Sequence, residues 1–301
     1  MDKISRFWNK IWCYLLAGLI SVPHIMLASF SVPGVDDFSC ANAVDIYRAN
    51  HNSLISAILY ARDTYLTWQG TYTGEIIMGL EPSVRGSYMP LRLILILSVV
   101  LFVAGIIFMA FTIARKFFGL SRNLSFGVAL IAEFIAFNIS PTGELFSWYT
   151  GAAVYTFPLI AFLFALSFSI LSYYEGKKVY AVLAGICGFI GSGGSLMIVG
   201  FGCASYLVLI LIYAYVIGLK KSNMNRFMEL LIPFIVTVIG ALICVAAPGN
   251  YIRKEVSGSI HVPNAIFYSG VNSLSHVCFM IMNYMLPVCF VICFVIARFN
   301  L

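Results

Sequence analysis

The chain is a succession of long apolar runs parted by short clusters of charge, most of them near the roughly 20 residues an α-helix needs to cross a bilayer. A backbone in lipid must satisfy its own amide and carbonyl groups, so runs of this kind fold as helices. They fall at about 8–30, 91–114, 123–138, 152–174, 179–190, 196–218, 227–247 and 277–297. The pattern predicts an all-α fold, a polytopic transmembrane helical bundle of about eight spans. With 61% hydrophobic and only 10% charged residues, against about 25% charged in globular domains, a soluble enzyme is excluded. The chain has no heptads, no polar low-complexity tract and no alternating ten-residue segments. Coiled coil, disorder and an outer-membrane barrel are therefore excluded too.

The formal charge of +6 is not a nucleic-acid footprint, because the 18 Lys and Arg residues sit mostly at the ends of apolar runs. They read as topology signals. Lys3, Arg6 and Lys10 precede a first run longer than the core of a cleavable signal, which predicts a retained span starting in the cytoplasm. Following the alternation, twelve of the 18 basic residues face the cytoplasm, while Arg48, Arg62, Arg85, Arg92, Arg253 and Lys254 face outward. Acids go the other way: Asp36, Asp37, Asp45, Asp63, Glu75, Glu81, Glu144 and Glu255 are external. Polar chemistry thus gathers on the extracytoplasmic face, where the long first external loop (31–91) meets the 139–151 and 248–263 loops. Segments 52–69 and 264–276 carry apolar residues at helical spacing and predict interfacial helices. The whole of 1–301 reads as a single integral membrane domain; it stops directly after its last span, as the N-terminal part of a longer protein would. No internal repeat points to an inverted-repeat transporter.

Seven of the eight cysteines lie in apolar runs, where a thiol behaves as a small hydrophobe, and only Cys40 sits in a polar loop. Neither a disulfide framework nor zinc spacing emerges. Asp36 and Asp37 follow the first span and the Pro33-Gly34 bend, presenting two carboxylates at the water interface. Adjacent residues point to different sides, so one can act as general base on a hydroxyl while the other serves a cation, the backbone or a helix start. Capping of the helix that begins at Phe38 explains Asp37 equally well. A divalent cation can join the Asp pair, since hard cations prefer oxygen, but no cofactor is called for and no metal ligand set is assigned.

Two aromatic runs, Tyr65-Leu66-Thr67-Trp68-Gln69-Gly70-Thr71-Tyr72 and Phe146-Ser147-Trp148-Tyr149-Thr150-Gly151, mix rings with amides and hydroxyls. That mixture suits sugars, whose apolar faces stack on rings, and it equally suits an interfacial aromatic belt. Asn250, Tyr251, Arg253 and Lys254, after the Pro248-Gly249 helix stop, supply an amide, a ring and two cations at headgroup depth, as a lipid-linked phosphate requires. Ordinary headgroup attraction accounts for the same residues. Glu133 interrupts the third span, either as a functional carboxylate or as a partner for Arg92. The Gly191-to-Ser195 turn lacks the Lys-Ser/Thr ending of a phosphate loop, and tight helix packing explains it.

Taken in order, Asp36-Asp37-Phe38-Ser39, Trp68-Gln69-Gly70-Thr71-Tyr72 with Glu81-Pro82, Trp148-Tyr149-Thr150-Gly151-Ala152 with Tyr155, Gly193-Gly194-Ser195, and Ala247-Pro248-Gly249-Asn250 with Arg253 resemble a family of uncharacterised bacterial multi-pass membrane proteins. That family in turn looks like the GT-C class of glycosyltransferases. The resemblance spans nearly the whole chain, although about eight spans is fewer than is common in the class. It implies a polyprenyl-phosphate sugar donor, a site on the non-cytoplasmic face, and Asp36 or Asp37 as the essential acid of the first external loop. It also implies Arg253, helped by Lys254 or Arg62, at the lipid phosphate. Trp68, Gln69, Tyr72, Trp148 and Tyr149 would then shape the sugar pocket.

The expected function is therefore inverting sugar transfer to a cell-envelope glycan or lipid acceptor at the bacterial cell membrane, with the N-terminus cytoplasmic. The expected partners are the lipid-linked donor, that acceptor and membrane lipids, with no nucleic acid. A carrier or flippase of lipid-linked saccharides, and a non-catalytic envelope-assembly protein, are the alternatives.

Overall fold

A computed structural model describes residues 3–81, 86–140, 142–217, 224–257 and residue 271. Every element in that range is helical. In chain order they are α1 (Lys3–Ser29), α2 (Val35–Arg48), α3 (Ser53–Thr67), α4 (Tyr72–Leu80), α5 (Met89–Lys116), α6 (Arg122–Ile139) and α7 (Thr142–Phe146). There follow α8 (Tyr149–Glu175), α9 (Lys178–Gly191), α10 (Leu196–Ile212), α11 (Met224–Val245) and α12 (Pro248–Ser257).

Local chemistry sets the starts. Asn52, Ser121 and Ser195 each accept a hydrogen bond from the backbone amide three residues on, capping α3, α6 and α10. Proline follows the first residue of α5, where a missing N–H costs nothing, whereas Pro158 lies inside α8 just past its π-turn. Two helices depart from the regular ladder: Ala152–Thr156 in α8 and Tyr213–Ile217 after α10 are π-helical.

α8 is the central helix. On one side it packs against α5, which carries α1 and α6; on the other it packs against α9 and α11, with α10 beside α11. Phe102, Phe137 and Phe146 knit the first group, with ring centroids 5.2 to 5.7 Å apart. Tyr173, Tyr174, Tyr213 and Phe117 knit the opposite end of the second. The bundle turns large apolar side chains outward, Leu93 and Leu97 on α5, Val182 and Ile186 on α9, Val208 and Leu211 on α10, while burying Ser98, Ser167, Ser169 and Thr237. That inversion suits helices packed in lipid, where small residues bring backbones together.

Among the described residues, five helices are long and apolar enough to cross a membrane: α5, α6, α8, α10 with its π extension, and α11. Six of the expected spans overlap these five and α1, whose Tyr14–Ser29 stretch is apolar. The expected span 179–190 is α9, an apolar helix of 14 residues, or about 21 Å at 1.5 Å per residue, short of the ~30 Å hydrocarbon core. The last span, 277–297, lies outside the described residues, as does the expected interfacial helix 264–276 apart from residue 271. Segment 52–69 does form a helix, α3, but the stretch around it is no loose loop, because α2 and α4 flank it. Residues 248–257, expected within a loop, instead start a helix at Pro248, a residue preorganised for a first helical turn.

Glu133 is buried, and neither of its carboxyl oxygens has a hydrogen-bond partner among the described residues. Arg92 does not pair with it: the Arg92 Nε donates to the Ser31 carbonyl at 3.0 Å.

α2, α3 and α4 fold against one another at one end of the bundle, over the π-turn of α8. Arg48 clamps this group, reaching from the end of α2 to Glu81 at 2.8 Å and to the last carbonyls of α4. The Glu81 side chain is 3% exposed and that of Arg48 27%. Replacing Arg48 with Met removes the cation facing a buried acid and is expected to destabilise the fold by about 2 kcal/mol, less than the roughly 3–5 kcal/mol of a fully buried pair. The check is a melting midpoint in detergent several degrees below wild type.

Candidate functional site

The cavity between α2, α3, α12 and the start of α8 is assembled by hydrogen bonds within turns. Asp37, in the first turn of α2 and 1% exposed, accepts from the Gly34 amide at 2.7 Å through Oδ2. Its Oδ1 accepts from the Thr150 amide at 2.9 Å and the Thr150 hydroxyl at 2.6 Å. One carboxylate thus closes the start of α2 and ties it to the first turn of α8. Asp36, its neighbour on the helix, is exposed and lines the cavity.

α3 ends in the turn Trp68-Gln69-Gly70, which is seated beneath α12. The Asn250 Oδ1 accepts from the Gly70 amide at 3.0 Å, while its Nδ2 donates to the carbonyls of Cys244 at 2.8 Å and Val245 at 3.2 Å. A Cβ on Gly70 would lie 1.9 Å from the Cys244 carbonyl oxygen, so only glycine admits this approach. Three residues beyond Asn250 on the same helix, Arg253 lays its guanidinium over the Trp68 ring at 5.0 Å and donates to the Gln69 Oε1 at 2.5 Å.

Gln69 passes the connection inward. Its Nε2 donates to the Glu75 Oε1 at 2.6 Å, and the Thr71 hydroxyl donates to the same oxygen at 2.9 Å. Glu75 is 1% exposed on α4. Burial pushes its carboxyl above the ordinary range, against the pull of the Gln69 and Thr71 donors and the Arg253 charge. Cys40, beside it, accepts from the Tyr60 hydroxyl at 3.3 Å, and burial raises its thiol pKa, the mark of an unreactive cysteine.

α4 is fixed from below by the 191–195 turn. The Gly193 carbonyl accepts from the amides of Thr73 at 3.0 Å and Gly74 at 3.2 Å, and the Thr73 hydroxyl donates to the Ile190 carbonyl at 2.8 Å. The Ser195 amide donates to the Val154 carbonyl within the π-turn at 3.0 Å. The turn is a helix-packing device, and π-turns of this kind recur beside functional sites.

The resulting cavity has a volume of about 530 Å³. It brings together Asp36, Trp68, Gln69, Trp148, Asn250 and Arg253 of the residues singled out from sequence. It leaves out the others. Asp37 caps a helix; the Tyr72 hydroxyl donates to the Phe189 carbonyl at 2.6 Å, and that of Tyr149 to the Ile77 carbonyl at 2.5 Å. Arg62 lies exposed beside Asp63 at 3.9 Å, and Lys254 is exposed outside the cavity lining. Asn250 lines the cavity, but both ends of its amide hold backbone.

Sequence reading named Thr71 only as part of the Tyr65–Tyr72 run, and it missed Tyr60 and above all Glu75 as lining residues. The available signal was a lone acid inside the apolar stretch Gly74-Glu75-Ile76-Ile77-Met78, six residues from Gln69. Among the described residues, no group of three or more His, Cys, Asp or Glu side chains is placed to hold a metal ion.

No family model, curated protein or solved structure matches this chain. Among the described residues, the fold defines an all-helical bundle with five candidate membrane-spanning helices and a cavity lined by polar and aromatic residues at one end.

Two consequences can be measured. Asp37→Asn removes one of three acceptor contacts and is expected to cost about 2 kcal/mol, seen as a lowered melting midpoint, whereas Asp36→Asn leaves the midpoint within about a degree. Glu75, whose folded pKa is raised, keeps a proton that the unfolded chain releases, so its contribution to stability falls as pH rises from 4.5 through the raised value. Glu75→Gln is expected to remove that slope. Its midpoint relative to wild type should therefore improve between about pH 5 and about pH 8.

Proposed function

We propose that this cavity is the reaction site of a GT-C-type inverting glycosyltransferase, which takes a sugar from a polyprenyl-phosphate donor and passes it to an envelope glycan or lipid on the extracytoplasmic face of the bacterial cell membrane. The observation that carries the reading is one cavity combining an exposed carboxylate, two indoles and a stacked guanidinium from separate chain segments.

Each chemical requirement of the reaction has a matching group. Asp36 takes the proton of the acceptor hydroxyl as its oxygen attacks the anomeric carbon. The bond between that carbon and the phosphate oxygen breaks, and the prenyl phosphate leaves with the electron pair. Arg253 pairs with the phosphate as its charge grows; its place over Trp68 holds it ready without reorganisation. Trp68 and Trp148 offer ring faces to the sugar. Asp37, Asn250, Tyr72 and Tyr149 serve as scaffold around these groups, and Lys254 and Arg62 as headgroup contacts.

Charge placement supports the orientation. Arg115, Lys116, Arg122, Lys177 and Lys178 all lie at the bundle end opposite the cavity, where the positive-inside rule puts the cytoplasm. A carrier would need a polar route through the bundle, yet of the buried acids among the described residues only Glu133 lies within a candidate span.

The test uses purified protein in detergent with a labelled polyprenyl-phosphate sugar and candidate acceptors. Donor consumption is expected, falling by about a hundredfold or more in Asp36→Asn, the range for loss of a general base. Undiminished turnover in that variant, or transport in sealed vesicles without turnover, overturns the enzyme reading.

A further inference from the structure

Five buried side-chain polar atoms lack a hydrogen-bond partner among the described residues: Arg48 Nε, Glu75 Oε2, both Glu133 oxygens and the Tyr213 hydroxyl. Of these residues only Glu75 lines the cavity. A carboxyl buried with one oxygen unmatched is a costly choice for a helix that needs only apolar contacts at that position. Its other oxygen shows what it does there. Oε1 accepts from the Gln69 amide nitrogen at 2.6 Å, and the Gln69 amide oxygen accepts from Arg253.

The orientation of that glutamine is forced from both sides. Arg253 can only donate, so the amide must offer it oxygen, and the amide nitrogen must then face an acceptor. Glu75 is that acceptor. With an apolar side chain at position 75, the amide nitrogen loses its partner and the side chain is free to turn, which brings N–H against the guanidinium. Arg253 would lose its tether and retain only the Trp68 face. The groups around Glu75 leave this role unshared: the Tyr60 hydroxyl donates to the Cys40 Sγ, and Thr71 reaches only Oε1.

We infer that Glu75 is a positioning residue of the anion site: through Gln69 it fixes the Arg253 guanidinium over Trp68, so that the guanidinium's remaining N–H groups face a phosphate entering the cavity. The inference rests on the functional reading for the identity of the anion as a lipid-linked phosphate. The geometric relay itself requires only a phosphate group, and a free phosphate would engage it in the same way. What matters at position 75 is an acceptor oxygen, not a negative charge. Glutamine can supply it and methionine cannot.

The experiment measures dissociation constants of farnesyl phosphate and of inorganic phosphate for the full chain in detergent, followed by tryptophan fluorescence because Arg253 covers Trp68. Glu75→Met is expected to weaken both ligands about tenfold, while Glu75→Gln stays within about twofold of wild type. In a Gln69→Leu background, adding Glu75→Met is expected to change affinity by less than about twofold, since the relay is already cut. A purely structural role for Glu75 would weaken binding equally in both backgrounds, and that result overturns the proposal. Loss of affinity in Glu75→Gln as large as in Glu75→Met overturns it as well. Farnesyl phosphate binding no tighter than inorganic phosphate, with the mutational pattern intact, would overturn the lipid-donor reading and leave the relay standing. Failure of wild type to bind either anion would overturn both.

Discussion

The first turns of α8 hold this end of the molecule together. Three separate parts of the chain attach there by hydrogen bonds: α2 through Asp37 to Thr150, the 191–195 turn through the Ser195 amide to the Val154 carbonyl, and α7 through the Leu145 carbonyl to the Thr156 hydroxyl at 2.7 Å. Position 158 is proline, so the Val154 carbonyl, within the π-turn Ala152–Thr156, lacks the amide donor that a regular helix would supply four residues on and is open to the Ser195 amide. The cavity exists because these attachments hold short helices apart around a common point.

This arrangement separates two kinds of polar residue. Asp37 and Asn250 have their side-chain capacity largely taken up by backbone partners. Asp36 is exposed, and Arg253 keeps guanidinium donors beyond its one bond to Gln69. The division follows from position on a helix. Asp36 and Asp37 are about 100° apart around α2, so one meets the cavity and the other the packed start of α8. A doublet in sequence becomes two unrelated groups in space.

The apolar packing beneath has a complementary function. Val44, Tyr60, Met78, Ala153 and Val154 form a small core between α2, α3, α4 and the π-turn, beside the buried carboxyl of Glu75. A low-dielectric surrounding strengthens each hydrogen bond in the Arg253–Gln69–Glu75 chain and raises the cost of breaking it. The clamp of Arg48 on Glu81 keeps α4, and hence Glu75, in register with α2. Rigidity at the cavity thus derives from contacts that do not line it.

Much of the architecture was legible in the sequence, because apolar runs near bilayer length can do little but form helices, and basic clusters mark their ends. Trp68, Gln69, Trp148 and Arg253 were legible as polar and aromatic residues at the ends of those runs. Which of two adjacent aspartates faces the cavity, that Tyr72 and Tyr149 give their hydroxyls to backbone carbonyls, and that Glu75 lies at the end of a relay were decided only by the tertiary structure. The physical reason is range. Helix formation in an apolar medium depends on local composition and length, whereas the partner of a buried polar group depends on which distant turn comes to rest beside it. Gln69 meets Arg253 across 184 positions of chain, and no local pattern encodes that meeting.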